Sequence, residues 1–227
     1  MSWDPAPGEA DDDAILRPRL LEALGIRGRA PWVLAGAADR TRKYLDDPAS
    51  IPASIAATAL AIAARHGELG FADARRLLAS ARTPGARTNA LTAMENLPPG
   101  PPLASALELA LTDAVRVQDL NGILNGALER AETRDQAFAF LEARFDDIVN
   151  RMPGGFAGAP RLERRIGVFC SEARRDAARA FFEGKKIPGG ERFLTEGVQN
   201  ASQCIALRSY GQASLKSFFD AARPSAE

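Results

Sequence analysis

The sequence predicts an all-α protein, a curved two-layer array of paired antiparallel helices, and three observations carry that expectation. Apolar residues recur three and four apart along most of the chain, which puts them on one face of a 3.6-residue helix. Alternating runs of Val, Ile and Thr bounded by turn signals, the mark of strands, are missing. Gly, Pro and helix-start residues punctuate the chain at short intervals, so about a dozen short helices result. None can bury its stripe alone, and stacking in pairs is the physical solution.

The clearest pair lies at 115–152. Val117, Leu120, Leu124 and Leu128 fall on one side of the first helix, with Gly122 and Gly126 four apart where a neighbour can approach closely. Thr133 and Gln136 have capping-box spacing ahead of the second helix, whose Phe138, Leu141, Phe145, Ile148 and Met152 share a face. In chain order, Asp11–Gly25 opens with three aspartates suited to the positive end of a helix dipole. Its apolar stripe is Leu16, Leu20 and Leu24, and Pro18 either kinks it or moves its start to Arg17. Pro31–Leu45 follows, with Pro31 in a tolerated first turn and Trp32 as an anchor. Ser50–His66 carries Ile51, Ile55 and Ile62 on one face. Phe71–Ala81 and Gly85–Asn96 form a shorter pair. The PPGPP segment at 98–102 is expected to be non-helical, so within a single helical-repeat domain over 1–227 an elbow or subdomain boundary at 97–102 fits the pattern. Leu103–Leu111, the clear pair, a loose Gly/Pro segment at 153–160, Arg161–Cys170, Glu172–Glu183, Glu191–Arg208 and Gln212–Arg223 complete the series. Leu194, Val198, Ala201 and Ile205 form the inner stripe of the penultimate helix, and Leu215, Phe218 and Phe219 that of the last. The architecture expected is a superhelix of the HEAT or armadillo kind, with repeats too degenerate to fix a period.

Composition narrows the function. The 227 residues carry 29 basic and 29 acidic side chains, and 46% are apolar, so no global field favours nucleic acid or an anionic membrane. No apolar run reaches about 18 residues and the first residues are acidic, so a soluble, cytoplasmic chain is expected. Cys170 and Cys204 sit among apolar neighbours and are expected to be reduced, buried small hydrophobes.

The order VRVQD at 115–119, AFAFLEARFDDIVNRM at 137–152, AFF at 180–182 and ERFLTEGVQNASQCIALRSYGQASLKSFF at 191–219 resembles the C-terminal helical domain of the zinc aminopeptidases of the aminopeptidase N family, endoplasmic-reticulum aminopeptidases included. The opening MSWDPAPGEADDDAILRPRLLEALG is similar to the start of that domain. Phe145 stands where the family often has Trp, Ala201 and Gln203 replace polar or acidic residues, and the terminal Trp is absent. The resemblance implies a non-catalytic domain that caps the catalytic cleft and shapes a peptide-access chamber. Its partners would be the catalytic domain of the same polypeptide and, indirectly, a peptide substrate. The alternative is a free-standing helical-repeat module that binds a peptide or protein.

The parent's chemistry is not expected in this chain. The family's zinc site is H-E-x-x-H with two imidazole ligands one turn apart, and His66 is the single histidine. Zinc is therefore expected in the absent catalytic domain, with no catalytic residue and no cofactor here. Ala93-Met94-Glu95-Asn96 resembles the end of the family's Gly-Ala-Met-Glu-Asn loop. It is read instead as a helix end with Met94 inward and Glu95 and Asn96 in water. His66 is read as a helix-end residue, and Asp11–Asp13 and Asp46-Asp47 as solvated helix starts. Gly154-Gly155 and Gly189-Gly190 lack the Lys-Ser/Thr of a phosphate loop. One local cluster remains as a candidate site: Arg161, Arg164, Arg165, Arg174 and Arg175, with Arg179, Lys185 and Lys186 nearby. It is either a solvated, ion-paired face or a basic lining for a peptide carboxylate or an acidic neighbouring domain.

Overall fold

The computed structural model describes residues 2–4, 8–152 and 159–221, and all regular structure among them is helical. Contacts divide the chain into two compact units, Met1–Leu141 and Glu142–Glu227. The 98–102 segment lies inside the first.

In the first unit, α1 (Asp11–Glu22) runs through Pro18 without interruption and passes into a π-helical turn, Ala23–Arg27. Its buried face is not the leucine stripe. Arg17, Leu21 and Gly25 face inward, whereas Leu16, Leu20 and Leu24 are exposed. The reason lies in the residues just ahead of the helix. Arg17 pairs with Glu9 and donates to the Ser2 carbonyl at 2.7 Å, so a buried guanidinium is matched. Gly25 lies so close to Ile62 that an added Cβ would stand 2.7 Å from its Cδ1. Helix α2 (Pro31–Asp46) has proline in its first turn, as expected. Trp32, expected to anchor it, is exposed instead. Trp3 fills that role: it lies against Gly36 of α2 with the Arg40 guanidinium 4.9 Å from its ring centre. Trp3, Leu21, Val33, Ala37, Ile55, Ala59 and Ile62 form one core cluster.

Helix α3 (Ala53–Arg65) is buried along most of Ile55–Ala64, which its run of alanines and isoleucines allows. Helices α4 (Phe71–Ser80) and α5 (Pro84–Glu95) follow, the latter capped by the Thr83 hydroxyl, which accepts from the Ala86 N–H at 3.2 Å. The proline segment was expected to stay out of helix. In fact Pro101 and Pro102 open α6 (Pro101–Ala110), where the missing N–H groups would have no partner anyway. Helix α7 (Val117–Glu129) buries Leu120, Ile123, Leu124, Ala127 and Leu128. Successive pairs α2/α3, α4/α5 and α6/α7 pack within themselves. Across pairs, α1, α3, α5 and α7 touch in succession, and α4 touches α6. Two layers of stacked helices result within this unit.

The capping box at Thr133 does not form. The Thr133 hydroxyl donates to the Ala127 carbonyl at 2.6 Å, and Gln136 exchanges two hydrogen bonds with the Gly100 backbone, at 2.7 and 2.9 Å. Both side chains serve the positive-φ turn and the helix end beside them rather than the local first turn. The stripe Phe138, Leu141, Phe145, Ile148 and Met152 is buried as expected. It is split between α8 (Arg134–Ala143) and α9 (Phe145–Arg151) by a break at Arg144.

In the second unit, α10 (Ala159–Glu163) runs into a 3-10 turn, Arg164–Val168, followed by α11 (Glu172–Lys185), which Ser171 caps. The last two expected helices are one: α12 (Glu191–Ala221) continues through Gly211 for 31 residues. It buries Gly197 and Ala201 against α10, the 3-10 turn and α11, while Leu215, Phe218 and Phe219 are exposed. Among the described residues no helix is long and apolar enough to cross a membrane. The Gly/Pro segment at 153–158 and Arg223 lie outside the described residues.

Cys170 and Cys204 are not reduced; they form a disulfide that spans 34 residues and ties the loop before α11 to the middle of α12. Apolar surroundings suit a disulfide as well as a thiol, and sequence spacing could not reveal that their Cα atoms lie 5.2 Å apart. Disulfides persist in oxidising compartments, so the support that reduced thiols lent to a cytoplasmic location falls away.

Candidate functional site

The basic cluster is assembled in the second unit by α10, the 3-10 turn and the first turns of α11. Arg161, Arg164 and Arg174 are exposed; Arg165 and Arg175 are half-buried. Much of the charge is engaged. Arg164 reaches Glu196 of α12 at 3.4 Å and stands 5.7 Å from the Phe193 ring centre. Arg175 pairs with Asp176 at 2.8 Å and donates to the Ser202 hydroxyl at 3.2 Å. Farther along α11, Arg179 pairs with Glu183 at 2.7 Å, and Lys185 lies 4.6 Å from the Phe145 ring centre and 3.7 Å from Asp146. The structure therefore joins Arg164 and Arg175 to α12.

A second concentration of charge, in the first unit, was not singled out from the sequence. A cavity of about 670 Å³ is lined by Arg19, Arg27, Arg65 and Arg130 against Glu22, Glu129 and Glu132. Arg130 is the buried member. Its Nε donates to the Gly126 carbonyl at 3.2 Å, Nη1 to Asn96 at 3.4 Å and Nη2 to Leu97 at 2.7 Å, so it ties α7 to the C-terminal end of α5. Burial, with the Arg65 charge beside it, brings Arg130 down to about 10. Arg65 pairs with Glu132 and donates to the Asn96 side chain at 3.1 Å. Contacts at helix ends separated by more than thirty residues have no sequence signal, which is why this group escaped notice.

The remaining candidates are structural. His66 closes α3, and its Nε2 lies 3.0 Å from the Gly25 carbonyl. Asp11–Asp13 do begin a helix in solvent, but Asp46 and Asp47 end one, with Asp47 accepting from the Ala49 N–H at 3.0 Å. In the Ala93–Asn96 stretch Met94 is buried as expected, whereas Glu95 and Asn96 are half-buried rather than in water. Glu95 lies along Gly122 and Gly126, which is the close approach that pair of glycines permits. Burial and the neighbouring Asp119 and Glu129 carboxylates raise its proton affinity. Among the described residues, no three His, Cys, Asp or Glu side chains stand together as a metal site would need. One histidine cannot supply two imidazoles, so the residues present do not fit the family's zinc centre.

The family model of the ERAP1-like C-terminal domain matches residues 1–203. The chain belongs to this family. Aminopeptidase M1 of Arabidopsis thaliana is 24% identical over 205 residues, and aminopeptidase M1-B of Oryza sativa subsp. japonica is 26% identical over 208. Both alignments cover 88% of this chain and 23% of the relative. The chain thus spans about a quarter of the length of the relatives it matches. In this ERAP1-like domain the segment 115–119 leads into α7, and Asp119 holds Arg87 of α5 at 3.0 Å. Phe145, which stands where the family often has Trp, meets Phe181 and Phe182 edge-on at 5.5 and 6.3 Å between ring centres. The stretches that carry the resemblance are therefore helix contacts within the domain.

Proposed function

We propose that the chain acts as the non-catalytic C-terminal domain of a zinc-dependent aminopeptidase, where it caps the catalytic cleft and shapes the chamber that peptides enter. The observation that carries this reading is the family match over residues 1–203 combined with a donor set unable to build the zinc centre. Stacked helix pairs in the first unit suit such a role, because a two-layer array presents a wide, stiff wall without needing chemistry of its own. On this reading the catalytic domain of the same polypeptide is the partner and supplies the zinc. The basic cluster at Arg161, Arg164, Arg165, Arg174 and Arg175 then faces an acidic neighbouring domain or a peptide carboxylate.

The test compares an aminopeptidase ending in this chain with the same enzyme truncated before residue 1. Cleavage is measured on an aminoacyl-nitroanilide and on a long peptide. A capping domain predicts that truncation changes the ratio of the two kcat/KM values by about tenfold or more, about 1.4 kcal/mol of differential transition-state binding. An unchanged ratio with a folded catalytic part refutes the capping role. Hydrolysis of the nitroanilide by the 227-residue chain alone, with stoichiometric zinc, refutes the non-catalytic assignment. If no catalytic part is encoded with the chain and it captures peptides alone, the free-standing binding module holds instead.

A further inference from the structure

The second unit contains a buried carboxylate, one oxygen of which has no hydrogen-bond partner. Glu163 ends α10 and is 2% exposed, and its Oε2 has no hydrogen-bond partner. It lies against the backbone at Gly190, where any Cβ would collide with the carboxyl group. That glycine precedes α12, so the positive end of the helix dipole makes the site tolerant of negative charge. The dipole alone gives Oε2 no donor.

Glu163 lines a cavity of about 350 Å³ between the end of α11 and the start of α12. Phe182, Ile187 and Leu194 form an apolar wall, and Glu183, Glu191 and Lys186 complete the charged lining. Three carboxylates thus meet one ammonium. Glu183 is held by Arg179 at 2.7 Å, and Lys186 is exposed at the end of α11, where its backbone takes a left-handed turn with φ 49°. Glu163 and Glu191 are left as the charges that repel each other across the cavity. Burial together with Glu191 raises Glu163 to about 7. A desolvated carboxylate of this kind is stabilised by taking up a proton or by gaining a cation. Glu163 and Glu191 beside an apolar wall do not make the three-donor set of a metal site, and no such set occurs among the described residues. They do match a single positive head on an apolar stem.

We propose that this cavity binds an alkylammonium or guanidinium group, its charge on Glu163 and Glu191 and its stem along Phe182, Ile187 and Leu194. The volume is at the small end for ligand pockets, so one side chain of a basic peptide or one small amine fills it. The proposal does not depend on the capping role.

The 227-residue chain is titrated with n-butylammonium, with N-acetyl-lysine methylamide and with n-butanol, following the amide NMR signals of Gly189, Gly190 and Leu194. Saturable shifts are expected with the two cations and none with the alcohol. Saturation by both cations supports a pocket open to a protein side chain; saturation by n-butylammonium alone supports a small amine. E163Q, of nearly equal size and neutral, should weaken binding by at least about tenfold, because it removes a buried charge partner. E191Q, at an exposed position that folding does not need, should weaken it about two- to fivefold. Circular dichroism checks that both variants are folded, and if E163Q is not, E191Q decides. No saturable shift with either cation overturns the proposal. So does equal affinity in the wild type and the variants.

Discussion

Reduction of the Cys170–Cys204 disulfide bears directly on the second unit, because the bond closes a 34-residue loop that contains all of α11 and half of α12. In the chain-entropy account, opening a loop of that length returns about 12 to 13 cal/mol/K to the unfolded chain, or about 4 kcal/mol at 25 °C. Measured losses for native disulfides in small domains are about 2 to 5 kcal/mol, so the figure is a reasonable centre. At about 4 to 8 °C per kcal/mol for a unit of this size, the unfolding midpoint should fall by at least about 8 °C on reduction. The assay is thermal denaturation of the chain with and without a phosphine reductant, alongside Cys170→Ser, Cys204→Ser and the double variant. All three variants should lose the same amount, since the bond is one interaction and its halves are not additive. Two reactive thiols in the unreduced, denatured protein would refute the pairing outright. A reduced protein that melts with the oxidised one would refute the idea that the bond constrains this unit.

Two further outcomes follow from particular contacts. Gly197→Ala and Gly211→Ala place the same methyl in the same helix with opposite results: at 197 the Cβ would stand 2.8 Å from the Glu163 carbonyl oxygen and 3.1 Å from Arg164 Cα, at 211 it meets nothing. Chemical denaturation should show a loss of about 1 to 3 kcal/mol for the first and a gain of up to about 1 kcal/mol for the second, and matching signs would contradict the packing. The pH dependence is set by Glu163, whose folded value of about 7 lies above its ordinary 4.5. The folded state then holds the proton more tightly, so this contribution to stability is present in full below 4.5 and is lost as pH rises through about 7. Glu191, Glu183 and Lys186 are the other charged groups that face the same cavity. After screening, E163Q should flatten the decline between pH 5 and 7.5 by on the order of 1 to 2 kcal/mol. An unaltered profile would show that Glu163 is solvated.

Helix positions were legible because they depend on local signals. Pro31 stands where a first turn begins, and the stripe from Phe138 to Met152 is buried as its spacing requires. What sequence could not supply was the identity of each partner. Thr133 and Gln136 have the spacing of a local cap, but the Ala127 carbonyl and the Gly100 backbone, brought near by the fold, compete successfully for them. Gly211 reads as a helix break, yet a single glycine costs a helix only about 1 kcal/mol, too little to end α12. The basic cluster was visible as composition, while the contacts of Arg164 with Glu196 and of Arg175 with Ser202 depend on where α12 passes. Arg130 and Glu163, the most perturbed side chains in the two cavities, gave no signal, because burial is a property of the assembled chain.

The α1 and α12 stripes carry the same lesson into function. A period of three or four states that apolar residues share a face; it does not state that the same chain covers them. On α1 the face with Leu21 goes to the core and that with Leu16, Leu20 and Leu24 to the outside. On α12 the family match ends at 203, and Leu207, Tyr210, Leu215, Phe218 and Phe219 beyond it are exposed. Scattered apolar residues on a surface need no explanation, but rows of them at helical spacing do. The outer faces of α1 and of the C-terminal half of α12 are therefore rows that the described residues leave exposed.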